Sequence, residues 1–330
     1  MIGSTAGRYR GLVRILIIGG TSFLGRHVTQ QALDEGNTVT LFNRGRTNPQ
    51  AFPDAELIQG DRNGDLTSVA GRKWEATVDV CGFVPRQVRS LLEVLGEGAG
   101  LYCFISSISA YPESVAAGFD ETAPILSPSY DDELTMEKYG ELKVGCELTA
   151  RELVGDERLS VVRPGYIVGP YDPTNRFAYW VERVAAGGRI LGPAADQPVQ
   201  VIDGRDLASF VVALVDHQTA GVFHTVAPDP PFSFAEFLAQ IANGIGVPTP
   251  DVDWRSANDL LPLSDAGEGW AMMAANVDKA RAHGLSWRPL ADTARDTLAW
   301  VQAAREAGTY RGRPEAAMSP EQEAAILAGS

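Results

Sequence analysis

Arg14-Ile15-Leu16-Ile17-Ile18-Gly19-Gly20-Thr21-Ser22-Phe23-Leu24-Gly25-Arg26-His27 decides how the rest of the chain is read. An apolar run that suits a buried strand meets a glycine-rich turn, and a helix-forming stretch follows. Glycines there let backbone N–H groups at a helix N-terminus approach a pyrophosphate without side-chain obstruction. Gly19, Thr21, Ser22, Phe23 and Leu24 are therefore the expected phosphate contacts. The same pattern also describes an ordinary strand–helix turn, and Ser22 stands where a middle glycine is usual. A second motif far downstream, Tyr139-Gly140-Glu141-Leu142-Lys143, favours the first of these readings.

Outward from the turn, apolar runs alternate with helical patterns. The predicted strands are 14–18, 38–42, 56–58, 77–80, 101–105 and 159–163, and the predicted helices 24–35, 65–70, 86–96 and 135–154. This order predicts an α/β fold, a doubly wound parallel sheet that binds ligand at the carboxyl ends of its strands. Beyond residue 170 the pattern loosens. A helix at Phe177–Ala186, a strand at Val199–Ile202, a helix at Asp206–Asp216 and a strand at Gly221–Val226 are expected, then a mainly helical stretch over 232–304. The last twenty or so residues are expected to be partly disordered, although Ser319-Pro320-Glu321-Gln322 has the form of a helix cap.

Bulk properties narrow the partners. The 330 residues can bury one large core or two lobes. A net charge of −14 argues against nucleic acid, whose phosphates need a basic face. No apolar stretch reaches the ~18 residues of a membrane span, and residues 1–13 lack the apolar core of a signal peptide. Cys81, Cys103 and Cys146 form no close pair, and His27, His217, His224 and His283 are scattered, so no disulfide framework or metal site is expected. A cytoplasmic protein follows as the expectation. Within residues 1–50, Arg8, Arg10, Arg14, Arg26, Arg44 and Arg46 face only Asp34 and Glu35. That basic end suits a phosphorylated cofactor or, more simply, a solvated arginine surface.

Tyr139 and Lys143 lie four apart on a predicted helix and share one face. A phenol titrates near 10, too high for a base at neutral pH. A neighbouring ammonium favours phenolate, and lowering the value by about three units takes roughly 4 kcal/mol. Ser107, in Phe104-Ile105-Ser106-Ser107-Ile108-Ser109-Ala110-Tyr111 at the end of a predicted strand, is placed to hold a substrate oxygen while Tyr139 passes its proton. Chance spacing and a plain serine turn are the competing readings.

The glycine turn, the serine pair and Tyr-x-x-x-Lys, in this order, resemble the short-chain dehydrogenase/reductase superfamily. Arg163-Pro164-Gly165-Tyr166-Ile167-Val168-Gly169-Pro170, Val201-Ile202-Asp203-Gly204-Arg205-Asp206-Leu207-Ala208, Leu285-Ser286-Trp287-Arg288-Pro289-Leu290 and Thr297-Leu298-Ala299-Trp300 resemble its extended, NAD-dependent epimerase/dehydratase-like branch. The resemblance spans about residues 12–302. The Gly-Gly-Thr-x-Phe-x-Gly form and Phe42-Asn43-Arg44-Gly45 look most like an atypical subgroup of uncharacterised bacterial reductases and a chloroplast RNA-binding protein.

The resemblance implies a Rossmann domain over 12–170, to which 199–228 returns. A smaller substrate lobe of 171–198 and 229–306 and a tail of 307–330 complete the chain. It implies that Tyr139 is the general acid/base, that Lys143 binds the nicotinamide ribose and that Ser107 holds the reacting oxygen. It also implies that Asp61 and Arg62 meet the adenine, and that Cys81, Gly82 and Pro164 line the cofactor channel. Related NAD enzymes carry an acidic residue after strand two. This chain has Asn43-Arg44-Gly45-Arg46, two guanidiniums that can fork onto a 2′-phosphate, so NADP is favoured, with NAD as the alternative. A homodimer through the helix bearing Tyr139 is a further implication.

Departures from the family matter as much. Tyr166 and Val199 stand where nucleotide-sugar enzymes carry an asparagine and an arginine, and 264–273 lacks the further arginine. Each absence removes a charge-assisted bond of about 1.5–3 kcal/mol. Ile108-Ser109 replaces the Asp-Glu pair of dehydratases. Tyr166, Arg176, Phe177, Tyr179 and Trp180, with Asn175, are read as the wall of a cleft for a less charged small substrate, or else as core of the small lobe. The expected activity is NADP(H)-dependent interconversion of alcohol and carbonyl on a small non-nucleotide molecule. A sugar epimerase with retained cofactor and a non-catalytic RNA- or cofactor-binding protein are the alternatives.

Overall fold

The apolar run after Arg14 forms strand β1 (Arg14–Ile18), and Ile15 to Ile18 are almost wholly buried because helices cover both faces of the sheet. In the computed structural model, residues 12–255, 261–264, 267–312 and 318–329 are described; Arg8 and Arg10 of the basic end lie outside them. Six further strands pair in parallel: β2 (Thr38–Asn43), β3 (Glu56–Gln59), β4 (Ala76–Asp79), β5 (Leu101–Ile105), β6 (Leu159–Pro164) and β11 (Gly221–Thr225). Their order is β11-β6-β5-β4-β1-β2-β3, so the winding reverses between β1 and β4. That reversal opens the crevice in which doubly wound sheets take ligands.

Alternation of side chains along β1 divides the core. Ile15 and Ile17 pack under α1 (Phe23–Asp34) and α5 (Gly204–Asp216), with Val28, Ala32, Leu207 and Val211. Leu16 and Ile18 pack under α2 (Pro85–Leu95) and α3 (Tyr139–Val154), with Val88, Leu91, Cys146 and Ala150. A third cluster belongs to the smaller part of the molecule. It joins α4 (Arg176–Ala186), α6 (Phe234–Ile245) and α8 (Leu290–Glu306).

Short strands connect the two parts: β7 (Tyr166–Val168) with β10 (Val201–Asp203), β8 (Arg189–Gly192) with β13 (Asp251–Trp254), and β9 (Pro198–Val199) with β12 (Phe232–Ser233). The stretch expected to be mainly helical thus also holds β12 and β13, besides the short helix α7 (Asp278–Ala282). The single strand expected over 199–202 is divided at Gln200. Its buried amide accepts from the Ala275 N–H at 3.0 Å and donates to the Pro228 carbonyl at 2.9 Å. The 65–70 helix is one 3-10 turn at Thr67–Val69.

Two of the resemblance motifs serve to join the parts. Arg288 donates to Asp206 from its backbone and guanidinium, Arg205 bridges Asp203 and Asp296, and Thr293 donates to Asp203 at 2.8 Å. In the described part of the tail the expected cap forms. Helix α9 (Pro320–Ala328) docks on the small lobe, capped by Ser319. The buried Glu323 carboxylate accepts from Arg183 and from the Leu191 N–H at 2.8 Å. No helix among the described residues is long and apolar enough to cross a membrane.

Candidate active site at the carboxyl edge of the sheet

The turn after β1 needs its glycines. Gly19 and Gly20 take φ of +108° and +89°, where a side chain is strained. A Cβ on Gly25 would lie 2.8 Å from the Gly20 nitrogen, so helix and turn touch backbone to backbone. Thr29 locks this contact by donating to the Gly20 and Gly25 carbonyls at 2.9 and 2.8 Å. Ser22, the N-cap of α1, makes no side-chain cap bond, so the first N–H groups of the helix remain without the usual partner. This cradle fits a pyrophosphate. Thr21 and Leu24 are buried around it, Ser22 is exposed and Phe23 half-buried.

Asn43 braces the same turn: it donates to the Gly19 carbonyl and accepts from the Gly45 N–H, each at 2.8 Å. Arg44 and Arg46 beyond it are exposed. Arg62 is paired inward. Its guanidinium forks onto Asp79 at 2.7 and 2.9 Å and reaches the Cys81 sulfur at 3.4 Å, while Tyr102 donates to Asp79 at 2.7 Å. Burial opposes both charges, yet the pairing wins, holding Asp79 below the usual carboxylate range and Arg62 firmly protonated. Asp79 claims both terminal nitrogens of Arg62, whereas Asp61 beside it is exposed. Cys81 lies at the winding reversal, donating to the Ile18 carbonyl at 3.3 Å; burial pushes its thiol up.

Helix α3 starts at Tyr139, later than the 135 expected, because the acidic segment before it closes on itself: Lys138 binds Asp131 at 2.6 Å. A Cβ on Gly140 would lie 2.0 Å from the Ser109 carbonyl oxygen, so the first turn of α3 rests directly on the serine turn. Tyr139, half-buried, stands at that contact. Lys143 is buried and donates to the Gly82 and Ile105 carbonyls at 2.7 and 2.6 Å. Two of its three N–H groups are thereby used, and one remains. Ser107 caps the 3-10 turn Ile108–Ala110, accepting from the Ser109 N–H and donating to the Ser109 hydroxyl, both at 3.1 Å. Pro164 is buried at the end of β6.

The proposed substrate wall separates into two groups. Arg176 stacks over the half-buried Tyr166 ring at 4.7 Å. Phe177, Tyr179 and Trp180 are core, a correction to the cleft reading. Phe177 meets Phe237 at 5.9 Å, Trp180 packs edge-on to Phe234 at 5.0 Å, and its indole donates to the Pro262 carbonyl at 2.7 Å. Burial also pushes the Tyr179 phenol up. Sequence reasoning missed the buried polar groups Asp79, Glu147, Tyr111 and His224. Only Glu147 left a signal, as a carboxylate one turn beyond Lys143 on the same face of α3. Among the described residues no cluster of three or more His, Cys, Asp or Glu forms a metal site.

No protein-family model matches the chain. It is 26% identical over 302 residues to chloroplast stem-loop binding protein of 41 kDa b from Arabidopsis thaliana, covering 84% of this chain and 75% of that protein. It is 27% identical over 261 residues to epimerase family protein SDR39U1 from Bos taurus, covering 72% and 82%. Among solved structures, UDP-N-acetylglucosamine 4-epimerase from Methanobrevibacter ruminantium superposes with a TM-score of 0.68 at 15% identity over 88% of this chain and 99% of that one. UDP-glucuronic acid 4-epimerase from Bacillus cereus, in complex with NAD, gives 0.66 at 15% over 89% and 98%. With its seven parallel strands and helical lobe, the chain has the fold of the extended, epimerase/dehydratase-like short-chain dehydrogenase/reductases.

Proposed function

We propose that the protein is an NADP(H)-dependent oxidoreductase of the short-chain dehydrogenase/reductase type, interconverting an alcohol and a carbonyl on a small non-nucleotide molecule. The observation that carries this reading is Lys143, buried one turn from Tyr139, with two N–H groups on backbone carbonyls and the third available beside the crevice. Gly19 to Leu24 and the first N–H groups of α1 would hold the pyrophosphate. The remaining N–H of Lys143 would hold the nicotinamide ribose, and Arg44 and Arg46 the 2′-phosphate. When bound, the dinucleotide gives or takes the hydride. Ser107 would orient the substrate oxygen, turning from its bond to Ser109, and Tyr139 would pass the proton to or from it.

Arg176, stacked on Tyr166, would give the substrate cleft a cationic, aromatic wall, to which the buried aromatics of α4 would contribute nothing. The epimerase reading is favoured by the names of the relatives, and stem-loop binding by the name of one. The net charge of −14 weighs against RNA. A homodimer and a cytoplasmic location are part of the proposal.

Paired calorimetric titrations with NADP+ and NAD+ test the cofactor. Tighter binding of NADP+ supports the reading, and equal or weaker binding contradicts it. Steady consumption of NADPH with carbonyl substrates separates a reductase from an epimerase that retains its cofactor. In that assay Tyr139→Phe abolishes turnover.

A further inference from the structure

Behind the proposed reacting groups lies a buried polar assembly that the reaction as described does not use. Arg163 forks onto Glu147, its Nε donating to Oε1 at 3.0 Å and its Nη2 to Oε2. Ser106 also donates to Glu147, and the remaining Arg163 nitrogen donates to the Tyr111 hydroxyl. Tyr111 in turn donates to His224 Nε2 at 2.7 Å, while His224 Nδ1 donates to the Asn276 carbonyl at 3.0 Å. Burial favours this neutral imidazole. Glu147 is 1% exposed, Arg163 3% and His224 0%.

The placement of these side chains is specific. Ser106 precedes Ser107, Arg163 precedes Pro164, and Glu147 follows Lys143 by one turn and Tyr139 by eight residues. One ion pair therefore joins the three elements, β5, β6 and α3, that carry the groups assigned to the reaction. An ion pair of this kind is a weak source of stability, because desolvating both charges offsets most of their attraction.

We propose that Glu147 and Arg163 are the positioning pair of this site: they fix α3 against the ends of β5 and β6, and their balanced charge sets the field in which Tyr139 titrates. The inference rests on Tyr139 being the proton donor. Eight residues of helix span about 12 Å. At that distance, with an effective dielectric of about 20, one unbalanced charge moves a titration by about one pH unit. A balanced pair nearly cancels. The groups facing the pair are Lys143 and Cys146 on α3, Ser106 on β5, Tyr111 on the serine turn, Asp120 and Glu121 in the segment after it, and His224 on β11.

The test follows the 13Cζ resonance of Tyr139 in the full chain, identified by its loss in Tyr139→Phe, through an alkaline titration. Glu147→Gln keeps the shape of the side chain and leaves Arg163 unbalanced, so the phenol should titrate about one pH unit lower. Glu147→Gln with Arg163→Gln restores the balance and should return the titration to that of the parent. If Glu147→Gln alone does not fold, Arg163→Gln leaves the carboxylate unbalanced and should move the titration to higher pH. An unmoved titration in a folded single variant, or a double variant that titrates like Glu147→Gln, overturns the proposal. Turnover surviving in Tyr139→Phe instead overturns the assignment of the proton donor and leaves these titrations as they are.

Discussion

The crevice at the β1/β4 reversal and the aromatic face of α4 both present residues that suggest ligand contact, and they fare differently. In the crevice, glycines allow backbone to meet backbone, the N-cap serine leaves N–H groups without partners, and Lys143 keeps one N–H after binding two carbonyls. On α4 the aromatics interlock with α6 until Phe177 and Trp180 have no exposure. Positions set by a backbone requirement or by a fixed helical spacing stay at the carboxyl edge of the sheet. Positions chosen for residue type alone do not, because an aromatic side chain that buries 150–250 Å² is drawn into whatever core is near.

Trp180→Ala should sharpen this contrast most. Truncating a fully buried tryptophan costs about 3–5 kcal/mol, read by urea unfolding, while dinucleotide affinity of the folded protein stays unchanged. Unfolding unaffected by Trp180→Ala would return that side chain to the cleft. Next comes Asp79→Asn, which leaves Arg62 buried without its counter-charge and should cost about 3 kcal/mol at pH 7.

That pair also has a pH signature. The folded state holds Asp79 below its unfolded value, so it binds fewer protons there than the unfolded chain. Its contribution is complete above about pH 5 and lost as pH falls through and below about 4. Urea midpoints at pH 7 and pH 3.5 should therefore converge in Asp79→Asn relative to the parent. In the crevice, Arg44→Ala with Arg46→Ala should weaken NADP+ binding by roughly ten- to a hundredfold and leave NAD+ nearly unchanged; calorimetry reads both. Smallest is Ser319→Ala. It removes the cap of α9 and should cost about 1 kcal/mol, seen as faster amide exchange in that helix.

Much of the sheet was legible because strand–helix alternation is a local signal, and β1, β2, β5 and β6 fall within a residue of the predicted limits. The glycine turn was legible for the same reason, and so was the Ser319 cap. What escaped depends on partners distant in sequence. The break at Gln200 requires Ala275 and Pro228, the late start of α3 follows from Lys138 folding back on Asp131, and the role of Arg62 cannot be read without Asp79. Glu147 was missed because its arginine lies on the next strand.

The account stands on a dinucleotide held across the ends of β1 and β4 with Lys143 and Tyr139 facing its reactive end. A crystal structure of the protein grown with NADP+ measures this directly. The predicted result is pyrophosphate on the N-terminus of α1, the free N–H of Lys143 on the nicotinamide ribose, and the Tyr139 and Ser107 hydroxyls opening onto one space beside the ring. A dinucleotide bound elsewhere, or Tyr139 turned away from Lys143 in the complex, would contradict it.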